Sequence, residues 1–143
     1  MHGRQNSLFG TGNRPTSDRQ NFYDLPFWDA CSQGQFLIQR CRSCGHAIFP
    51  GAPICPECWS WDLRWDPASG DGLVYSWIRM HRKYFDEVPP PYTCVLVELA
   101  EGPFFITNYR LRDEGRDPII GEPVSIRIVQ FDNVSLPIAF PAD

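Results

Sequence analysis

The 143-residue chain has no long hydrophobic run and no excess of positive charge. No 18 consecutive residues are apolar and the N-terminus has no secretory h-region, so we expect neither a membrane span nor an export signal. The 13 Lys and Arg residues are outnumbered by 17 Asp and Glu residues, which gives a net charge of -4. This balance provides no global electrostatic attraction for nucleic acid. The sequence therefore predicts a soluble protein and disfavours nucleic acid as a partner.

The chain also lacks a nucleophile–base pair with a recognisable catalytic signature. Cys94 lies inside a predicted strand, where a small buried apolar residue is the simpler interpretation. His81 stands beside basic residues and is more simply explained as a surface or polar-network histidine than as a general acid or base. We therefore expect an auxiliary protein rather than an enzyme.

Fourteen prolines argue against long helices and favour short strands joined by turns. Residues 1–20 are polar and have no apolar periodicity, so they are predicted to form a disordered tail. A helix and metal ribbon are predicted over residues 21–67, and a barrel over residues 68–143. The turn-forming segment Asp66–Gly72 marks the boundary between these two modules.

A short helix is predicted from Pro26 to Gly34, because proline favours the first turn of a helix and glycine its end. Phe27, Trp28 and Cys31 recur at helical spacing and form its apolar face. This face either packs on the same chain or docks on another subunit through Phe27 and Trp28. The sequence leaves both interpretations open.

Two C-x-x-C pairs, separated by ten residues, form the most specific pattern in the chain: Cys41, Cys44, Cys55 and Cys58. Four thiolates at this spacing can close on one tetrahedral metal ion. Since sulfur takes all four positions, we expect a closed structural zinc site rather than a catalytic one. Iron in a rubredoxin-like site is the chemical alternative. Metal removal should loosen this module first.

Several apolar residues surround the cysteines and are expected to pack a small knuckle. They are Phe36, Ile38, Phe49, Ile54, Trp59 and Trp61. Gly45 suits the turn after the first pair because glycine adopts positive φ without a steric cost. The other two cysteines, Cys31 and Cys94, are left over after these four, and leftover thiols beside a metal site indicate a reducing cytoplasm.

Five strand-like runs follow the boundary. They are Leu73–His81, Tyr92–Leu99, Phe104–Tyr109, Val124–Phe131 and Ser135–Phe140. Several of them alternate with the period of two that strands show. The turn Ala100–Pro103 predicts a tight hairpin between the second and third runs. The number and length of these runs predict a mainly β fold, with a five-stranded OB-type barrel after the ribbon. An SH3-like barrel fits them nearly as well.

Two segments of the predicted barrel combine basic and aromatic side chains. The candidate residues for contact with coenzyme A are Trp77, Arg79, Arg82, Lys83, Tyr109 and Arg110. The phosphates of coenzyme A require Arg or Lys, and its adenine requires a stacking surface or an apolar slot. Single-stranded nucleic acid on an OB face would require similar groups. The simpler interpretation assigns the aromatic rings to the core and the charges to a solvated rim.

The order of these parts resembles the family of rubredoxin-like zinc ribbon plus OB-fold proteins associated with acyl-CoA metabolism. The resemblance covers about residues 25–140. It is carried by the Phe-Trp helix, the C-x-x-C-G…C-P-x-C ribbon, Ser69–Ser76, Val97–Pro103 and Ile120–Val124. It implies an accessory subunit that binds or shields acyl-CoA thioesters and assembles with thiolase-like enzymes, in some cases bridging two enzymes.

The predicted function is therefore that of a non-catalytic scaffold subunit of a thiolase-like enzyme, with zinc as the metal and acyl-CoA as a candidate ligand. A homodimer formed by the isolated chain would substitute for the native assembly. Two other classes stay open: an OB-fold protein that binds single-stranded nucleic acid, and an iron redox protein of the rubredoxin type.

Overall fold

The computed structural model describes residues 22–82, 91–109, 116–131 and 134–142. The predicted tail of residues 1–20 lies outside the described residues. The elements are a 3-10 turn Phe22–Asp24, α1 Leu25–Ser32, β1 Leu37–Cys41, β2 Ala47–Ile48, β3 Leu63–Pro67, β4 Asp71–Met80, β5 Tyr92–Leu99, β6 Phe104–Asn108, β7 Pro123–Phe131 and β8 Val134–Pro141.

Helix α1 confirms the predicted helix, with its end two residues earlier than expected. Pro26 stands in the first turn, where its missing N–H removes no helical hydrogen bond. Gly34 follows the helix with a φ of 80° and donates its N–H to the carbonyl of Cys31 at 3.0 Å. Within the described part of the chain, no helix has the length and hydropathy needed to cross a membrane.

Strands β1, β2 and β3 form an antiparallel ribbon in the order β2-β1-β3. The two longer strands, β1 and β3, pair along their whole length, from Leu37 opposite Pro67 to Cys41 opposite Leu63. The buried Gln39 amide fixes the loop between the cysteine pairs, since it donates to the carbonyl of Ala52 at 3.1 Å and accepts from its N–H at 2.8 Å. Both polar ends of this buried side chain are thus satisfied.

The five remaining strands form one antiparallel sheet in the order β6-β5-β4-β7-β8. A parallel bridge between Tyr109 and Ala139 joins the end of β6 to β8 and nearly closes the sheet into a barrel. The five predicted strands are confirmed, and β5 has the predicted limits. Gly72 pairs with both β5 and β7, and a Cβ atom there would lie 2.7 Å from the carbonyl oxygen of Glu98. The strands can therefore approach here only because the residue has no side chain.

Helix α1 and the base of the ribbon share one hydrophobic core with the barrel. Phe27 is 2% exposed, and its ring centroid lies 6.0 Å from that of Phe36 in the ribbon and 6.2 Å from that of Phe105 in the barrel. Phe49 lies 5.1 Å from both Phe27 and Phe105. Such tilted and edge-to-face pairs add to the free energy gained by burial. The core thus extends across the module boundary predicted after residue 67. The division of the chain into two modules at that point stays a prediction.

Candidate metal centre and neighbouring surfaces

The sulfur atoms of Cys41, Cys44, Cys55 and Cys58 all lie within 4.8 Å of one another. The Sγ atoms of Cys41 and Cys58 are 3.5 Å apart, and those of Cys44 and Cys55 are 3.7 Å apart. These separations are far longer than a disulfide bond of about 2.05 Å. They are close to the roughly 3.8 Å edge of a tetrahedron whose metal–sulfur bonds are about 2.3 Å. The four cysteines therefore fit one tetrahedral metal ion.

Each C-x-x-C pair forms a turn that we call a knuckle: Cys41–Cys44 is the first and Cys55–Cys58 the second. Backbone N–H groups of the two knuckles point at the sulfur atoms. Ser43 donates its N–H to Cys41 Sγ at 3.3 Å, and Glu57 donates its N–H to Cys55 Sγ at 3.4 Å. The sulfur that accepts these bonds is the buried member of each pair. These bonds orient and stabilise a thiolate ligand in the way that outer-shell partners orient metal ligands generally.

The two knuckles repeat the same turn but end on different residues. Gly45 has a φ of 80° and donates its N–H to the carbonyl of Cys41 at 2.9 Å. Trp59 takes the equivalent place in the second knuckle, with a φ of 66° and an N–H bond of 2.9 Å to the carbonyl of Cys55. A left-handed conformation costs a residue with a Cβ atom about 1–2 kcal/mol. The second knuckle therefore contains strain that the first avoids.

The thiols of the cluster have widely separated acidities. Hydrogen bonds from the backbone N–H groups of Cys44 and Ser43 outweigh desolvation and lower the pKa of Cys41 to about 6. The N–H of Ser60 lowers the pKa of Cys58, but desolvation and the hydrogen bonds of the other three sulfurs raise it overall to about 12. The pKa of Cys44 is also raised overall. Because the thiols of Cys44 and Cys58 have raised pKa values and are protonated near neutral pH, metal binding must displace protons from them.

A metal ion in this centre would have a structural role. Four sulfur ligands leave no position for water or substrate, so the residues would hold the ion and supply no Lewis-acid chemistry. Trp59 and Trp61 do not pack around it as predicted: they are 74% and 78% exposed. The apolar residues that pack at the centre are Ile48, Ala52 and Leu63.

The structure brings Trp77 and Arg79 together but engages Arg79 within the chain. The Arg79 guanidinium lies 5.4 Å from the centre of the Trp77 ring and donates to Thr93 Oγ1 at 3.1 Å. It also forms an ion pair with Asp117 at 2.7 Å. Arg82 is exposed, whereas Lys83 and Arg110 lie outside the described residues.

Tyr109 is buried and belongs to a second polar network. Its hydroxyl donates to Glu122 at 2.8 Å and accepts from Arg116 at 3.0 Å, and Arg116 also bonds Glu122 at 2.9 Å. Desolvation, followed by the hydrogen bond and charge of Glu122, raises the pKa of Tyr109 to about 12. Residues 116 and 117 thus anchor their loop to both candidate segments. Residue periodicity does not predict these contacts, because they join a loop to distant strands.

The two predicted docking residues have different environments. Phe27 is part of the shared core, so its side chain is used for packing on the same chain. Trp28 is half-buried, and its ring centroid lies 5.0 Å from that of Phe27. Of the two, only Trp28 presents a surface to solvent.

The outer surface of β4, β5 and β6 carries exposed apolar side chains that were not predicted as a site. We call this surface the outer face and define it by Tyr75, Ile78, Phe104 and Ile106, all at least 44% exposed. Ring centroids of Tyr75 and Phe104 are 4.9 Å apart. Tyr75 stands at a β-bulge, where pairing with β5 shifts by one residue. The alternation of residues predicted the strands but not which apolar side chains the fold leaves uncovered.

Comparisons with protein-family models match most of the described chain. The model described as the ChsH2 rubredoxin-like zinc ribbon domain matches residues 28–64. The model described as the ChsH2 C-terminal OB-fold domain matches residues 65–129. These matches resolve the choice between an OB-type and an SH3-like barrel in favour of the OB type.

Relatives with similar sequences have names that refer to enzyme subunits and scaffolds. The chain is 39% identical over 132 residues to a probable enoyl-CoA hydratase alpha subunit from Thermomonospora curvata, covering 90% of this chain and 40% of that protein. It is 36% identical over 101 residues to a DUF35 domain-containing scaffold protein from Pyrococcus furiosus, covering 68% of this chain and 73% of that protein. The chain thus spans less than half the length of the hydratase subunit.

A solved structure described as the Ltp2-ChsH2(DUF35) aldolase contains a similar chain. The two superpose with a TM-score of 0.80 at 34% identity, over 91% of this chain and all of that one. Homologues of this chain are therefore subunits of complexes with partner enzymes.

Proposed function

Because the chain belongs to the ChsH2 family, which joins a rubredoxin-like zinc ribbon to a C-terminal OB-fold domain, we propose that it is a non-catalytic accessory subunit of a thiolase-like enzyme acting on acyl-CoA. The observation that carries the proposal is the exposed outer face of the barrel. The proposal is also supported by a relative, since this chain superposes on a similar chain in the structure described as the Ltp2-ChsH2(DUF35) aldolase. The resemblance of the sequence motifs to thiolase-associated proteins supplies the class of partner.

The outer face has the composition of a protein interface. Tyr75 and Phe104 are large aromatic side chains in contact with each other, and aromatic residues dominate binding energy when a partner covers them. Ile78 and Ile106 extend the apolar surface across the three strands. A contiguous exposed apolar patch on a protein surface marks a site of interaction. A partner enzyme seated here would remove these side chains from water.

The metal centre supports the same proposal because its expected role is to stabilise the ribbon, without any part in catalysis. Zinc held by four cysteines would stabilise the ribbon without taking part in a reaction. The thiols and the metal site fit a reducing cytoplasm, where we place the protein. Among the described candidates for contact with the phosphates of coenzyme A, Arg82 is exposed just after the end of β4, whereas Arg79 forms an ion pair with Asp117.

Replacement of the aromatic pair on the outer face tests the proposal. The tagged chain carrying Tyr75→Ser and Phe104→Ser should lose a co-purifying thiolase-like enzyme while keeping its metal content and circular dichroism spectrum. The matched control is Ile119→Ser with Ile120→Ser, which removes two comparably exposed apolar side chains from a turn outside the outer face. If the aromatic double variant retains the partner with native affinity, the outer face is not the docking surface.

A second candidate partner is an enoyl-CoA hydratase subunit. It is favoured by the name of the 39% identical relative, which is a hydratase alpha subunit. Mass spectrometry of the co-purified protein distinguishes the two candidates, because thiolase-like and hydratase sequences give different peptides. A hydratase in place of a thiolase-like enzyme would keep the accessory role and change the class of partner.

A further inference from the structure

A cavity of about 390 Å³ opens between α1 and the strands β5, β6 and β8. Its walls are mostly carbon, and the side chains used below are Trp28, Cys94, Phe105, Ile106 and Asn108. An engineered apolar cavity of about 150 Å³ in another protein stays dry and binds benzene. This cavity is more than twice as large, so it has room for a fused-ring or branched hydrocarbon group.

Two lining residues have uncharged polar side chains, Thr107 and Asn108. The Thr107 hydroxyl donates to the carbonyl of Pro137, so Asn108 provides the polar group considered below. The residue is 7% exposed, and within the described residues no hydrogen-bond partner occurs for its side-chain amide. Within the described residues, Glu101 Oε1 is the only fully enclosed side-chain polar atom that has no hydrogen-bond partner. The side-chain amide of Asn108 is therefore not fully enclosed. Asn108 is one of the residues that line the cavity. A buried amide without a partner is costly unless a ligand or water satisfies it.

The side chain of Asn108 lies on the same side of the sheet as the outer-face residue Ile106, which also lines the cavity. Ile106 is two residues earlier on β6, and Cys94 is its direct cross-strand partner on β5, so the three side chains share one face. All three line the cavity. None of the described lining residues is charged, and burial raises the pKa of the Cys94 thiol, which is therefore neutral near pH 7.

We infer that this cavity binds an uncharged, mainly hydrocarbon molecule larger than benzene that carries one ketone or hydroxyl oxygen, with the Asn108 amide as the hydrogen-bonding group. The apolar walls provide affinity through burial, and the amide fixes the orientation of the oxygen. The described lining contains none of the candidate residues for contact with coenzyme A. The inference goes beyond the proposed scaffold function and does not depend on the identity of a partner enzyme.

Prodan, an uncharged naphthalene ketone whose fluorescence reports polarity, is a suitable probe for the intact chain. Its matched control is the analogue in which propyl replaces the propionyl group, so that only the ketone oxygen is lost. We expect the wild-type chain to bind prodan roughly five- to tenfold more tightly than the analogue, as one neutral hydrogen bond allows. If neither probe binds up to its solubility limit, or if both bind equally, the inference is wrong.

Two variants separate the hydrogen bond from the cavity itself. Asn108→Leu keeps a side chain of similar size and should remove the preference for the ketone while retaining affinity for the hydrocarbon. Ile106→Trp enlarges an exposed side chain at the rim and should weaken both probes by tenfold or more. Preservation of the ketone preference in Asn108→Leu, or of both affinities in Ile106→Trp, would overturn the assignment.

A third measurement uses the native chain and does not depend on the folding of a variant. Alkylation of the half-buried Cys94 thiol should slow several-fold when prodan saturates the cavity. Free coenzyme A should leave prodan binding unchanged. Displacement of prodan by coenzyme A would show that the cavity belongs to a thioester surface, and unchanged alkylation of Cys94 would place the probe elsewhere.

Discussion

The ribbon tip and the barrel are stabilised in different ways. The ribbon tip, residues 41–63, buries only a small cluster that includes Cys41, Ile48 and Cys55. The barrel core extends over all five of its strands and includes several fully buried residues, among them Val95, Val97 and Leu99. Burial of apolar surface can stabilise the barrel without a ligand, whereas we expect the tip to need a bound metal ion. One chain would thus combine a metal-dependent part with a part that is stabilised by its own core.

The division between these two parts lies inside the ribbon. Phe36 and Ile38, at the base of the ribbon, belong to the core shared with the barrel and α1. The cysteines extend beyond this base on turns that have little apolar packing. We therefore expect metal loss to affect the tip strongly and the base weakly.

Removal of a metal ligand should have the largest effect on this contrast. Cys55→Ser should abolish the stoichiometric metal and expose the amides of residues 41–63 to hydrogen exchange, because structural zinc contributes on the order of 10 kcal/mol. The barrel amides should stay protected. Cys94→Ser, outside the cluster, is the control and should retain the metal. Simultaneous loss of protection in the barrel would show that the two parts unfold together.

A core truncation in the barrel should produce the opposite pattern. Leu99→Ala removes a buried side chain and should lower the free energy of unfolding by about 2–5 kcal/mol while leaving the metal content unchanged. Leu73→Ala, at a half-exposed position of the same sheet, should change it by less than about 1 kcal/mol. Urea unfolding followed by circular dichroism measures both. Similar losses in the two variants would contradict the assignment of Leu99 to the core.

The pKa values of the cluster predict how metal affinity depends on pH. The thiols of Cys44 and Cys58 have raised pKa values and are protonated between pH 6.5 and 8, roughly, so each must lose a proton when metal binds. Affinity should therefore fall by about a hundredfold or more for each unit that the pH is lowered in this range. Cys41, with a pKa of about 6, adds little there because it is already a thiolate. Competition with a chelator of known affinity measures the slope, and a tenfold change per pH unit would be too small.

Relief of strain in the second knuckle should have the smallest effect. Trp59→Gly should raise metal affinity by about fivefold, equivalent to about 1 kcal/mol, because glycine adopts positive φ without a Cβ clash. Trp61→Gly is the matched control: this tryptophan is equally exposed but does not have positive φ, so its removal should give no gain. Weaker metal binding in Trp59→Gly would show that the indole stabilises the knuckle.

Local sequence signals predicted the features that depend on spacing and periodicity. The C-x-x-C pairs predicted the four cysteines that the structure brings together, and the alternation of residues predicted the five barrel strands. Proline and glycine gave the short helix to within two residues. These features are set by neighbours in the chain, which is why no tertiary information was needed.

Features that depend on distant packing could not be predicted in this way. The sequence placed Trp59 and Trp61 in the knuckle packing because they are apolar, whereas the turn geometry leaves both in water. It offered Arg79 to a phosphate, whereas Asp117 on a distant loop pairs with it. The amide of Asn108 became notable only when its strand neighbours and the cavity were known.

The most direct test of the accessory role is native mass spectrometry of the tagged chain, purified at its natural expression level from the cells that produce it. We expect a complex that contains this chain, one metal ion per chain and a thiolase-like enzyme in a fixed ratio. The complex should be absent when the chain carries Tyr75→Ser and Phe104→Ser. Recovery of the metal-loaded wild-type chain alone, or in association with nucleic acid, would contradict the proposed function.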